Sequence, residues 1–338
     1  MRKIFVLLGI LLALAAVLLL AFRSEIERPF YGAAAGEVYL EIPRHATSAQ
    51  TADLLVHSGI LRHRLPFLLY LRFNNLGRHI QAGEYRFAEA ASPMEIAMRL
   101  VKGDVSFRSI TIPEGLTAYE TIELLAQNGL GNPDELQQLL RRADWIRDLD
   151  PKARTIEGYL FPETYRFGHD VSCESVLKTM IQQFRTRVAR LAAANPVPHG
   201  WTMQRIVTLA SMIEKEVKQP DEAPVVASVL LNRLEKGMPL ACDATIIYGM
   251  KLAGTYQGRL GKADLAGESA YNTYLHTNLP PGPIANPGEN SIRAALRPAK
   301  TDYYYYVSRN DGTHQFSRDY ASHQIAVNRY QKSLARKK

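Results

Sequence analysis

From residue 4 to residue 22 no side chain is charged or strongly polar. At 1.5 Å per helical residue this run nearly matches the ~30 Å hydrocarbon core of a bilayer, so it predicts a membrane-spanning helix. It exceeds the ~7–15 apolar residues of a signal peptide, and its one small-x-small site, Ala13-Leu14-Ala15, falls in mid-run. Both features favour an uncleaved anchor over a cleavable signal. Arg2 and Lys3 precede the run, while Arg23, Glu25, Glu27 and Arg28 follow it, a weak positive-inside balance that predicts a cytoplasmic N-terminus.

Beyond the anchor the apolar pattern repeats. Ile42-Pro43-x-x-x-Thr47-x-x-Gln50-Thr51-x-x-Leu54-Leu55-x-x-x-Gly59 recurs seventy positions later as Ile112-Pro113-x-x-x-Thr117-x-x-Glu120-Thr121-x-x-Leu124-Leu125-x-x-x-Gly129. Each copy predicts an extended Ile-Pro, a Thr N-cap with Gln or Glu three residues on, and a short helix ended by glycine. Between the copies, Ala82-Gly83-Glu84-Tyr85-Arg86-Phe87 reads as a turn and a strand, and Ser92-Pro93-Met94-Glu95 as a second kind of helix start. Residues 37–105 are therefore expected to form an α+β module, either a spacer or a glycan-binding unit.

Helical patterning continues to about residue 148, and residues 158–165 read as a loop or short strand. Amphipathic helices are predicted over about 173–194, 203–218 and from Pro224 to before Gly237. From there to Pro287-Gly288 the chain is rich in Pro, Gly, Asn and Tyr and reads as long ordered loops, which commonly carry binding residues. A short helix from Asn290, a hairpin turning at Asn310-Asp311-Gly312 and a terminal helix from about Asp319 complete an α+β chain.

Composition narrows the function classes. Of 338 residues, 46% are hydrophobic and 22% charged, as in ordinary folded domains. The net charge of +8 is scattered apart from Ala335-Arg336-Lys337-Lys338 and accompanies no nucleic-acid motif, so nucleic acid is not expected as a partner. None of the nine histidines has metal-ligand spacing, so no metal or other cofactor is expected. Cys173 and Cys242 fit no redox or metal pattern; two buried thiols are favoured and a disulfide stays open.

The chemistry concentrates in Leu209-Ala210-Ser211-Met212-Ile213-Glu214-Lys215-Glu216. At 100° per residue the two glutamates flank the apolar stripe of Ile206, Leu209, Ala210 and Ile213 on opposite sides, so they cannot act as a pair on one sugar. Glu216 lies in the last turn, where the negative end of the helix dipole and adjoining apolar surface both raise a carboxyl's pKa. Such a group suits protonation of a glycosidic oxygen. Taken alone, the pattern more readily describes two ordinary solvated helix glutamates, as most glutamates are.

Several long motifs in order resemble the endolytic murein transglycosylase, or YceG-like, family. They are Ala210-Ser211-Met212-Ile213-Glu214-Lys215-Glu216, Val226-Ala227-Ser228-Val229-Leu230-Leu231-Asn232-Arg233-Leu234, Asp243-Ala244-Thr245-Ile246-Ile247-Tyr248-Gly249, Ala270-Tyr271-Asn272-Thr273-Tyr274 and Leu279-Pro280-Pro281-Gly282-Pro283-Ile284. Glu157-Gly158-Tyr159-Leu160-Phe161-Pro162-Glu163-Thr164-Tyr165, Asn286-Pro287-Gly288, Ser291 and residues 82–87 match as well. The resemblance covers almost the whole chain. It implies an inner-membrane, single-pass protein with residues 1–30 as cytoplasmic N-terminus and anchor. Residues 37–105 would be a LysM-like module, and residues 106–338 a periplasmic α+β catalytic domain with a lysozyme-like helical element.

The family's catalytic glutamate, the second of its Glu-Lys-Glu motif, falls on Glu216. The resemblance further implies cleavage within nascent peptidoglycan strands to leave 1,6-anhydro-muramic ends, beside a penicillin-binding protein or other synthase. Where the family commonly has Thr-Asp-Pro-Thr this chain has Cys242-Asp243-Ala244-Thr245, which puts the rigidity of that turn in doubt. Substrate-binding candidates are Asn232 and Arg233, then Asp243, Thr245 and Tyr248, then a stacking and amide-binding wall of Tyr271, Asn272 and Tyr274. The run from Tyr303 to Tyr306 is expected to be a half-buried strand. A lysozyme-like hydrolase pairing Glu216 with Asp243, and a non-catalytic glycan-binding scaffold, are the competing readings.

Overall fold

The structure, a computed structural model, describes residues 2–30, 37–169 and 171–332. Its backbone divides into two units, Met1–Ser109 with Arg166–Asp170, and Ile110–Tyr165 with Val171–Lys338. The terminal basic cluster lies outside the described residues.

The first unit begins with helix α1 (Arg2–Glu27), whose stretch Ile4–Glu27 has a mean hydropathy of 3.2. Its apolar side chains are exposed as far as Leu20, whereas Ile26 is buried. Strand β1 (Val38–Ile42) pairs antiparallel with β2 (Gly83–Phe87), from Val38↔Phe87 to Ile42↔Gly83. Helices α2 (Ser48–His57) and α3 (Arg64–Phe73) lie between these strands in sequence, and α4 (Pro93–Lys102) follows. Alternate strand residues Leu40, Ile42, Tyr85 and Phe87 meet Leu55, Phe67, Leu71, Ile96 and Leu100 from the helices in one core. The Tyr85 ring is fully buried, and its hydroxyl donates to the Gln81 and Leu100 carbonyls at 2.8 and 3.2 Å.

The repeat is realised in both copies. Thr47 and Gln50 form the capping box of α2, and Thr117 with Glu120 forms that of α5 (Ala118–Gln127), after strand β3 (Arg108–Thr111). Ser92 and Glu95 cap α4 in the same way, with Pro93 in its first turn. Local side-chain chemistry therefore decided these three starts.

Helix α6 (Pro133–Leu139) follows in the second unit, and β4 (Thr164–Phe167) pairs with β3. Helix α7 (Cys173–Ala194) has the predicted bounds, and α8 (Met203–Glu216) ends two residues earlier than its pattern suggests because Val217 turns extended, φ −98°, ψ 131°. From Ile206 to Ile213 every residue of α8 is buried, packed against α9 (Ala223–Glu235) and α12 (Glu289–Leu296).

The loop expected between Gly237 and Pro287 contains two helices, α10 (Asp243–Leu252) and the short α11 (Lys262–Leu265). In α10 tertiary packing overrides a glycine-bearing sequence. A side chain at Gly249 would come within 3.1 Å of Tyr271 Cβ and 2.9 Å of Ser269 Oγ, so its glycine is a contact surface rather than a helix stop. The hairpin of β5 (Tyr305–Ser308) and β6 (His314–Ser317) and helix α13 (Tyr320–Val327), capped by Asp319, close the chain as expected.

Candidate active site

Glu216 is the last helical residue of α8, half-buried where the chain leaves the packed core. The Cys242 thiol donates to its Oε1 at 2.9 Å, and the Tyr306 hydroxyl is a second hydrogen-bond partner. Burial is the strongest influence on this carboxyl and pushes its pKa up. The Cys242 bond opposes that rise and the nearby Asp243 charge adds to it; Tyr306 and the neighbouring His314 act downward, leaving a net upward shift. A half-buried acid beside a second carboxylate therefore retains its proton to higher pH than an ordinary glutamate.

Each neighbour is placed by its own element. Cys242 is the N-cap residue of α10, fully buried, with its N–H donated to Thr273 Oγ1 at 3.0 Å. Burial and the Glu216 charge raise the thiol well above its usual range, so it stays a donor. Both cysteines are free and buried. Asp243 opens α10, and its Oδ1 accepts from the Tyr274 hydroxyl at 2.6 Å. Tyr306 on β5 and His314 on β6 share one face of the hairpin, their rings 5.4 Å apart and nearly perpendicular. Glu222 fixes His314 twice, accepting from its N–H at 2.9 Å and meeting Nδ1 at 2.7 Å.

The two glutamates of α8 part as the helical wheel requires. Glu214 accepts from the Gly288 N–H at 3.0 Å, and its charge together with burial raises the pKa of Glu114. None of the groups around Glu216 is shared with it.

The other sequence-chosen residues fall into three arrangements. Asn232 donates from Nδ2 to the carbonyls of Thr301 and Tyr303, both at 2.9 Å. Arg233 donates to the carbonyls of Tyr304, Leu240 and Pro239 at 2.6, 2.8 and 3.3 Å. This pair ties α9 to the backbone leading into β5. Thr245, fully buried, bonds the Cys242 carbonyl at 2.7 Å and Thr273 Oγ1 at 2.9 Å. Asn272, also fully buried, holds the Leu265 and Gly267 carbonyls at 3.0 and 2.8 Å and receives the Tyr274 N–H at 3.0 Å. Both brace the turn that presents Cys242, Asp243 and Tyr274.

Tyr248 and Tyr271 form a separate cluster, rings 5.0 Å apart, around the buried Glu157. Glu157 accepts from the Ala118 N–H at 2.9 Å and the Tyr248 hydroxyl at 3.2 Å, yet burial pushes its pKa up to about 8. It sits beside Gly158 (φ +87°), where a Cβ would come within 2.4 Å of Pro283.

Residues 40–329 match the sequence profile of the YceG-like family. The chain belongs to that family. It is 30% identical over 309 residues to the endolytic murein transglycosylase of Bacillus subtilis, covering 87% of this chain and 84% of that protein. The enzyme of the same name from Streptococcus pneumoniae R6 is 26% identical, and the chain spans about half (54%) of its length. A crystal structure of a YceG-like protein from Listeria monocytogenes superposes with a TM-score of 0.59 at 27% identity, over 87% of this chain and 100% of that one.

The YceG-like motifs divide accordingly. Asp243 and Tyr274 stand beside Glu216, while Ser211 receives the Ile284 N–H at 3.0 Å and Asn286 receives that of Leu160 at 3.0 Å. Sequence reasoning passed over three neighbours of the carboxylate: Cys242, Tyr306 and His314. Strand alternation puts Tyr306 and His314 on one hairpin face, but which helix end that face meets is a tertiary fact. Among the described residues no cluster of three or more His, Cys, Asp or Glu could hold a metal ion.

Proposed function

We propose that this chain is an endolytic peptidoglycan lytic transglycosylase in which Glu216 is the one acid/base, the activity named for its relatives in two genera. The observation that carries the residue assignment is the Glu216 environment: a carboxyl whose pKa is raised by burial and by Asp243, with donors from Cys242 and Tyr306 fixing its orientation. Protonated Glu216 gives its proton to the oxygen between N-acetylmuramic acid and N-acetylglucosamine as that bond breaks. The resulting carboxylate takes the proton of the muramic C6 hydroxyl, whose oxygen bonds to C1 and closes the 1,6-anhydro ring. The proton returns to Glu216, and no activated water is required.

Residues 1–30 are read as cytoplasmic N-terminus and single-pass inner-membrane anchor, 37–105 as a LysM-like glycan-binding module and 106–338 as a periplasmic catalytic domain working beside a peptidoglycan synthase. The β1-α2-α3-β2 order supports the module reading, and α8, with Glu216 at its end, is read as the lysozyme-like element. In this reading Tyr274 and Asp243 contact the glycan directly; Asn232, Arg233, Thr245 and Asn272 support it through the loops they brace, and Tyr248 with Tyr271 through the cluster around Glu157.

A hydrolase reading has one observation in its favour, the Asp243 charge beside Glu216, since inverting and retaining hydrolases use two carboxyls. Digestion of purified glycan strands by the full chain and by Glu216→Gln, with mass spectrometry of the products, separates the readings. Anhydro-muramic ends, formed at least about a hundredfold more slowly by the variant, are the expected result. Reducing ends instead would make the protein a hydrolase, and full activity of Glu216→Gln would remove Glu216 from the mechanism.

A further inference from the structure

Helix α3 is apolar on two faces. Phe67 and Leu71 fill the core of the first unit, while Leu65, Leu69 and Phe73, spaced by four and so aligned on one outer stripe, are 63%, 36% and 73% exposed. A stripe of large apolar side chains on an otherwise polar module marks a surface that meets something other than water. The position of α3 identifies what it meets.

The Phe73 ring packs edge-on against Phe22, centroids 6.0 Å apart at 77°. Phe22 closes the uncharged run of α1, so in a membrane it lies at the edge of the hydrocarbon. The joint is built rather than loose. Ile26 is buried, and the Phe30 N–H donates to the Ala91 carbonyl at 3.1 Å in an isolated antiparallel bridge. At its other end α3 rises away from Phe22: His63 and Pro66 line a small pocket with Glu25 and Arg28. Exposed apolar surface thus continues from α1 onto the outer face of α3. Residues 57–80 carry no Asp or Glu, and besides Arg64, which pairs with Asp53 at 3.3 Å, they carry Arg62, Arg72 and Arg78, a charge pattern suited to anionic lipid phosphates.

We propose that α3 is a second membrane contact, with Phe73 and Leu69 inserted in the interfacial layer of the bilayer that α1 crosses and Leu65 at headgroup level. The proposal rests on the anchor reading of α1. The six residues from Phe22 to Arg28 rise ~9 Å, and each interfacial layer is roughly 5–7 Å thick, so depth should fall in the order Phe73, Leu69, Leu65. The contact fixes the tilt and height of the first unit at the membrane, which a single helix with a free linker would not.

The test uses the full chain in liposomes of phosphatidylethanolamine and phosphatidylglycerol, carrying one nitroxide at Leu65→Cys, Leu69→Cys, Phe73→Cys or Leu12→Cys. The unsubstituted chain, with Cys173 and Cys242 buried, sets the labelling background. Collisions with lipid-soluble oxygen and with a water-soluble nickel chelate report depth. We expect oxygen to dominate at 12, 73 and 69, with the ratio falling several-fold from 73 to 65. Water-like values at 65, 69 and 73 with a lipid value at 12 overturn the docking and leave the anchor; a water-like value at 12 overturns both. Shielding from both reagents would mean a second copy or another protein covers the stripe, which also overturns the proposal. Phe73→Trp keeps a ring in place and supplies a second reading. Acyl-brominated lipid should quench its fluorescence beyond that of native Trp145 and Trp201, and equal quenching counts against insertion.

Discussion

At the residue scale, Glu216 is held by influences of opposite sign that substitution can separate. The competent acid is the protonated form, so activity is present below its pKa and lost as pH rises through it. Cys242→Ala removes a donor that stabilises the carboxylate, so the falling limb of kcat/KM against pH should move to higher pH. Asp243→Asn removes a like charge and should move that limb to lower pH, while Cys242→Thr, which keeps a donor, should leave it near the parent's. Limbs that fail to move, or move in the same direction in Cys242→Ala and Asp243→Asn, would sink this account of the site. In sequence, Cys242 reads only as part of a loosened turn. Its contact with a residue 26 positions earlier gives it a chemical role.

At the scale of elements, local chemistry sets where helices begin and remote contacts set how they are used. Thr117→Ala removes a hydroxyl that accepts the Glu120 N–H at 3.1 Å, and should lower stability by about 1 kcal/mol, read as a lower denaturation midpoint. Asn232→Ala frees the Thr301 and Tyr303 carbonyls from α9. The expected cost is about 1–3 kcal/mol in stability, with a lower kcat because the hairpin bearing Tyr306 and His314 loses its seat. A stability loss with unchanged kcat would limit Asn232 to a structural brace. The capping boxes were legible because a cap joins residues three apart. The hairpin's duty was not, since His314 meets Glu222 across 92 positions.

For the whole molecule, the buried Glu157 makes folding depend on pH. Its pKa is raised from an ordinary carboxyl value to about 8. Between those values the folded chain keeps a proton that the unfolded chain releases, so stability falls as pH rises from roughly 4.5 to about 8. Glu157→Gln keeps the shape and an acceptor for Ala118, and should flatten the decline in melting temperature over that interval. An unchanged slope would show that Glu157 ionises normally in the fold. The proposed α3 contact belongs to this scale too, because with α1 it would orient a whole unit toward lipid.

Sequence by itself determined what short-range physics determines. The bilayer-length apolar run, the amphipathic helices α7 to α9, the three capping boxes, the hairpin and the separation of Glu214 from Glu216 all follow from spacings of a few residues. Its motifs also pointed to the family and to Glu216. Tertiary structure decided the rest. It made a helix of Asp243–Leu252 through contacts that a glycine permits, brought Cys242, Tyr306 and His314 to one carboxylate, and grouped Tyr248 and Tyr271 with Glu157. Burial decides the pKa of Glu216, and burial depends on segments remote in sequence that meet only when the core closes around α8.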